Sequence, residues 1–143
     1  MTYKPFDKKL YDVNDDAKEL IITWLQNNGF KAWVNPDQYG IDLIYHDETE
    51  KHQYCEVEVK HNWKGARFPF ATVHFPKRKL KFANKDSMFA MLNHQRTHAL
   101  IISGQQFLDA PRIHKDTVYT NNEEFIEITI SDCKIVELGV ASE

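Results

Sequence analysis

The run Glu56-Val57-Glu58-Val59-Lys60 constrains this chain more than any other five residues. Charged and apolar residues alternate at every step. Strand side chains alternate faces with a period of two, so Glu56, Glu58 and Lys60 take one face and Val57 and Val59 the other. A second strand-like run, Gly40-Ile41-Asp42-Leu43-Ile44, carries an Asp just after a Gly, and the polar stretch from His46 to His52 between the two suits a hairpin turn. A turn centred near Thr49 and Glu50 predicts Asp42 directly opposite Glu58, with Cβ atoms about 4.5–5.5 Å apart. Two carboxylates so placed repel each other. A divalent cation turns that repulsion into coordination, because hard ions such as Mg²⁺ take carboxylate oxygens. Lys60 sets a positive charge beside them. The same alternation also describes a half-buried edge strand, apolar inward and charged outward. The Asp on the neighbouring run is what separates the two descriptions.

Asp42, Glu58 and Lys60 in this arrangement resemble the PD-(D/E)xK nuclease superfamily, the fold of restriction endonucleases and archaeal-type Holliday-junction resolvases. The resemblance is densest from Val34 to Lys60 and extends through the order of elements over residues 14 to 103. A literal Pro-Asp also occurs at Pro36-Asp37 and is the alternative motif Asp. Asp42 is preferred because it lies inside the strand-like run and has the G-x-D form of the resolvase-like branch. The resemblance implies an α/β restriction-endonuclease-like α-β-β-β-α-β core with a central mixed sheet. It also implies catalysis by Asp42, Glu58 and Lys60, and Mg²⁺ or Mn²⁺ held by Asp42, Glu58 and the carbonyl of Val59. Many members place an acid on the first helix, for which Asp16 and Glu19 are the candidates. Glu56 shares the motif face and either extends the acidic site or pairs with a lysine; pairing is the favoured role.

The distribution of charge bears on the partner more than the net value of −3. From Lys60 to Lys85 there are eight basic residues and no acidic one, whereas from Asp116 onward seven acids face one base, Lys134. A basic segment adjoining an acidic motif strand is the expected footprint of a phosphate-tracking surface. It makes Lys64, Arg67, Lys77, Arg78, Lys79 and Lys81 the candidate contacts to DNA, with RNA as the other possible partner. Trp63 and Phe68 interleave with these bases, either to stack on a splayed base or, as such aromatics more often do, to anchor their loop to the core. A catalytically idle nuclease fold that binds nucleic acid or protein is the rival from a different class.

At 143 residues the chain is expected to form a single domain, with a core over about 14–103 and an extension over about 104–143. Ala17, Leu20, Ile21, Trp24 and Leu25 follow helical spacing and predict a helix over 14–28, with Asp16 and Glu19 as a capping box and Gly29 as its end. Short strands are expected at 31–34, 72–75, 87–92 and 98–103, a short helix after Pro76, and a loop around Gly104 and Pro111. A final hairpin is expected from Phe125–Ile130 and Lys134–Leu138 around Ser131-Asp132. Its apolar residues Ile126, Ile128 and Ile130 either offer a homodimer surface, the favoured one, or pack on their own domain. The exposed edges of the motif strand pair are the other surface for a homodimer, as two-fold pairs are the commonest oligomers.

No apolar run approaches the roughly 20 residues of a membrane span, and the opening residues lack a signal-peptide core, so a cytoplasmic protein is expected. Cys55 reads as a small core residue. The histidine and cysteine spacing matches no zinc site, and the scattered glycines form no phosphate loop.

Overall fold

A computed structural model describes residues 8–138, with side chains from residue 15 onward. The helix α1 (Lys8–Asn27) comes first, followed by strands β1 (Lys31–Val34), β2 (Leu43–His46) and β3 (Gln53–Val59). Strand β4 (Thr72–Pro76) and a 3-10 turn (Lys77–Phe82) lead to β5 (Ser87–Leu92) and β6 (His98–Ser103). The helix α2 (Gly104–Asp109) and strands β7 (Arg112–Lys115), β8 (Glu123–Thr129) and β9 (Lys134–Glu137) complete the described chain.

Two sheets result. The central one has six strands in the order β1-β2-β3-β5-β6-β9, and a three-stranded sheet has the order β4-β8-β7. Within the central sheet only β3 and β5 run parallel, so the sheet is mixed, as the resemblance implies. Its two faces are covered differently. Leu43, Cys55, Ala90, Leu92 and Ala99 pack against Ala17, Ile21 and Leu25 of α1. Phe89, Met91, Leu100 and Ile102 on the opposite face pack against Val73, Phe75, Ile126 and Ile128 of the small sheet and against Phe107 of α2. The order of layers is therefore helix, sheet, sheet.

The first helix buries the face that its spacing predicts, but it starts well before residue 14, so Asp16 lies within it and is not its N-cap. Gly29, at a φ of 90°, ends it, and the Phe30 amide folds back to the Leu25 carbonyl.

Three expectations for the later chain fail. The segment around Gly104 is a helix: the Ser103 hydroxyl accepts from the Gln106 amide and the Gln106 side chain accepts from the Ser103 amide, a complete capping box. A Cβ on Gly104 would stand 2.1 Å from the Asn84 carbonyl oxygen, so only glycine lets α2 begin there. Strand β7 was not foreseen at all. The C-terminal pair is not a hairpin either, since β8 joins β4 and β7 while β9 adds to β6 at the edge of the central sheet. Ile126 and Ile128 are buried within the chain's own core and Ile130 packs against it, so the surface expected for a homodimer is already used.

Between β3 and β5 the chain crosses by way of β4 and a 3-10 turn instead of the α-helix expected there. Pro76 precedes that turn, and no residue of the turn is fully buried. Among the described residues no helix is long and apolar enough to cross a membrane. Cys55 is buried and Cys133 half-buried, both as free thiols.

Candidate active site

The hairpin between β2 and β3 fixes the relation of the motif residues. Asp47 Oδ1 accepts from the Thr49 amide at 2.8 Å and its hydroxyl at 2.6 Å, and Glu50 adopts a φ of 62°. This local bonding draws the turn toward Asp47. Leu43 consequently pairs with Cys55, whereas an Asp42–Glu58 pair requires Leu43 opposite Val57. Carried one residue further, the observed register sets Asp42 beside Glu56. The expected direct opposition of Asp42 and Glu58 is thus corrected by two residues, which is what a one-residue shift of a turn's centre produces. Because two is the strand period, Asp42 keeps the same face as Glu56 and Glu58.

The contacts agree with this register. Asp42 Oδ2 accepts from the Val57 amide at 2.9 Å, and the Asp42 amide donates to Glu56 Oε1 at 3.3 Å. From α1, Lys18 Nζ comes within 3.6 Å of Asp42 Oδ1. The first helix therefore brings a lysine to the site, whereas Asp16 instead lies 3.9 Å from Arg96 Nε and Glu19 is exposed. Asp37 is a turn residue, its Oδ1 accepting from the Tyr39 amide at 3.0 Å.

Glu56 and Glu58 project from the β3 face that packs under the small sheet, with Phe89 and Met91 as their neighbours on β5. That setting strips them of water. Burial and the adjacent Asp42 charge push the Glu56 carboxyl up to about 7, against the opposing pull of Lys79. Burial also raises Glu58, opposed by Lys79, Lys60 and Arg78. Lys79, delivered by the 3-10 turn, lies with Nζ 3.1 Å from Glu56 Oε2 and 3.8 Å from Glu58 Oε1. Glu58 Oε1 is buried and has no hydrogen-bond partner among the described residues. Buried carboxylate oxygens are rarely left so, and an orphaned one is a natural point of attachment for a cation.

Lys60 stands at the end of the same strand face. Burial lowers its ammonium below the ordinary lysine range, assisted by Lys115 and opposed by Glu58. Its Nζ lies 5.8 Å from the centroid of the Phe70 ring, within cation–π range. The backbone behind it is pinned: the Lys60 amide donates to the Leu92 carbonyl at 2.9 Å. Fully buried Asn93 ties the following loop to the β5–β6 turn, donating to the Gly65 carbonyl at 2.8 Å and accepting from the Thr97 amide at 2.8 Å.

The expected nucleic-acid contacts divide into two groups. Lys64, Arg67, Arg78 and Lys81 are exposed; Lys77 is exposed as well but lies 3.7 Å from Glu124, and Lys79 is held by Glu56 and Glu58. Trp63 and Phe68 are buried with their rings 5.2 Å apart, so they anchor the loop and are not available to stack on a base.

Sequence comparison and fold comparison give different yields. A scan of protein-family models and a search of curated proteins each find no match. Among solved structures, the chain is similar to Hjc of Archaeoglobus fulgidus, a Holliday junction resolvase from an archaeal hyperthermophile. The TM-score is 0.51 at 10% identity, covering 82% of this chain and 84% of that one. The likeness is one of fold, a restriction-endonuclease-like mixed α/β arrangement. Of the three motif residues Glu58 lies within a strand, β3, whereas Asp42 immediately precedes β2 and Lys60 immediately follows β3, so the strand expected to hold Asp42 starts one residue after it.

As they stand, among the described residues no three His, Cys, Asp or Glu groups are arranged to hold a metal ion. The reason is visible in the ion pairs: Lys79 occupies the space beside Glu56 and Glu58, and Lys18 approaches Asp42. The donors nevertheless fit a hard divalent cation. They are carboxylate oxygens on one face, one of them orphaned and buried, and the cation already among them is a flexible ammonium that can swing away.

Three participants are not legible as such in the sequence: Lys18, which nothing in the sequence marks, Glu56 and Lys79. Glu56 was assigned a lysine partner, which it has, but its place beside Asp42 depends on the turn. The basic run makes Lys79 a candidate phosphate contact; nothing local to residue 79 points to a strand 23 positions earlier.

Proposed function

We propose that this chain is a metal-dependent nuclease that hydrolyses DNA phosphodiester bonds, with Asp42, Glu58 and Lys60 as its catalytic residues. The orphaned, buried Glu58 Oε1 on a face shared with Asp42, Glu56 and Lys60 is the observation that carries this reading. Mg²⁺ or Mn²⁺, held by Asp42, Glu58 and the Val59 carbonyl, would supply Lewis acidity and an activated water. Glu56 adds a fourth oxygen donor whose proton leaves near neutrality. Lys60, lowered by burial, is found neutral more often than an ordinary lysine and so is available to take a proton from the attacking water, or in its charged form offsets charge on the pentacovalent phosphate. Exposed Lys64, Arg67, Arg78 and Lys81 flank these groups and suit contact with the phosphate backbone.

The Archaeoglobus protein's description as a Holliday junction resolvase makes a four-way junction the first substrate to try. Symmetric cutting needs two sites and so two copies of the chain. With Ile126 and Ile128 covered, the edge of the central sheet at β1, where Val34 is exposed, is the surface proposed for a partner copy.

The test is cleavage of labelled junction, duplex and single-stranded DNA, and of RNA, with Mg²⁺ or Mn²⁺, by the wild type and by Lys60→Ala and Glu58→Ala. Both variants should lose about a hundredfold or more in rate. Unchanged activity in either variant would remove its assigned role, and faster cutting of RNA than DNA would reassign the substrate. A nuclease fold that binds without cutting is favoured by one observation, the Lys79 ammonium already lodged beside Glu56 and Glu58. That rival wins if a folded wild type cuts none of the substrates and binds no Mn²⁺.

A further inference from the structure

Beyond the Glu56 end of the carboxylate row, away from Lys60, lies a cavity of about 440 Å³ that the proposed chemistry does not use. Tyr39, Ile41, Tyr54, Lys81, Phe82 and Asn84 line it. It shares three segments with the site. Ile41 precedes Asp42, Tyr54 lies two residues before Glu56 on the same strand face, and Lys81 lies two residues after Lys79. A strand advances about 3.3 Å per residue, so the cavity opens roughly one residue pair from Glu56.

Its chemistry is selective. Three aromatic rings line it and, among the described residues, no acidic side chain does. Lys81 Nζ stands 4.9 Å from the Phe82 ring centroid, which leaves an ammonium at the rim. The Tyr39 ring is 83% exposed, yet its backbone is fixed. Asn35 Nδ2 donates to the Ile41 carbonyl at 2.9 Å, the Asp37 amide to Asn35 Oδ1 at 3.0 Å, and the Tyr39 amide to Asp37 Oδ1 at 3.0 Å. A flat face for stacking, a cation at the rim and the exclusion of acids suit an uncharged planar ring attached to a phosphate. The volume belongs to the small-molecule range of about 300–1,000 Å³, which admits one nucleotide and not a stacked base pair.

We propose that this cavity takes one unpaired nucleobase of the strand whose phosphate lies at the carboxylates, with Lys81 on the adjoining phosphate. The substrate class is then DNA with an unpaired or readily extruded nucleotide beside the cut, since entry requires the base to leave the stack. This inference rests on the nuclease reading of the neighbouring site.

The experiment uses the full chain and duplexes carrying 2-aminopurine, either paired with thymine or left unpaired opposite an abasic site. Binding is followed in Ca²⁺ and cleavage in Mg²⁺. The wild type should quench the unpaired fluorophore and bind that duplex more tightly than the paired one. Tyr39→Ala, an exposed change that leaves the core intact, should lose the quench and weaken binding of the unpaired duplex by about 5- to 150-fold. Lys81→Ala should weaken binding and flatten its salt dependence. Equal affinity for both duplexes, or a full quench with Tyr39→Ala, overturns the proposal. Cleavage without preference sinks the base pocket alone, whereas a Tyr39-dependent quench without any cleavage sustains the pocket and sinks the nuclease reading.

Discussion

Lys79 Nζ lies 3.1 Å from Glu56 Oε2, so the carboxylate row carries a cation supplied by its own chain. Glu56 is almost fully buried and sits beside Asp42, and an unpaired charge there would be costly. The ammonium offsets that cost while no other cation is present. Because it hangs on a flexible stem from a 3-10 turn with no buried residue, it can give way to a divalent ion.

Removing this lysine has two opposite consequences. In Lys79→Met the metal-free protein should lose about 1–3 kcal/mol of stability at neutral pH, the cost of a buried charged hydrogen bond left without its partner. The same variant should bind Mn²⁺ more tightly, because the competing cation is gone. Urea denaturation in EDTA and Mn²⁺ titration measure the two effects, and a variant with weaker Mn²⁺ binding would show that Lys79 does not compete for the site.

Glu56 should make both stability and metal affinity depend on pH near neutrality. Its folded carboxyl is raised to about 7, above the ordinary glutamate value, so between about pH 4.5 and 7 the folded state holds a proton that the unfolded state has released. Stability from this group is therefore full below about pH 4.5 and falls as pH rises through 7. Metal binding runs the other way, since the carboxylate must ionise to ligate, and so strengthens over the same interval. In Glu56→Gln both dependences should flatten. Thermal midpoints and Mn²⁺ affinities at several pH values between 5 and 8 check this, and curves that match the wild type would place the titration on another group.

Ion pairing within the chain separates the basic residues that should touch DNA from those that should not. Replacing Lys64, Arg67 and Arg78 together by alanine should reduce the slope of log affinity against log salt by about 2–3, as each phosphate contact contributes about 0.9. Lys77→Ala should change the slope little, because Glu124 already engages Lys77. Fluorescence anisotropy with labelled duplex from 50 to 200 mM salt decides it, and a steeper loss from Lys77→Ala would move the DNA track toward β8.

How far the sequence reveals this fold depends on how local each determinant is. The buried stripe of α1, the alternation of β3 and the limits of β5 and β6 are written in neighbouring residues, and the structure has them where they are expected. The Asp42 register turns on a side-chain hydrogen bond at Asp47 that composition alone does not disclose. The Ser103–Gln106 capping box was present in the sequence, but Gly104 and Pro111 made the segment look like a loop. Lys79 and Lys18 join the site only through tertiary folding. The second sheet, which desolvates Glu56 and Glu58, comes from three strands scattered between residues 72 and 129.

That second sheet gives Ile126 a structural role that separates folding from association. Fully buried against Phe75 and Phe89 in the layer beneath the small sheet, its side chain cannot serve a partner copy as well. Ile126→Ala should therefore cost about 2–5 kcal/mol of stability, the usual range for emptying an isoleucine site in a core. The variant's oligomeric state below its unfolding transition should equal that of the wild type. Val34→Lys, at the exposed edge strand β1, should do the reverse: little change in stability, and loss of any dimer that pairs through that edge. Urea denaturation together with sedimentation at micromolar concentration reads both properties. A dimer abolished by Ile126→Ala in still-folded protein would return the interface to the C-terminal strands.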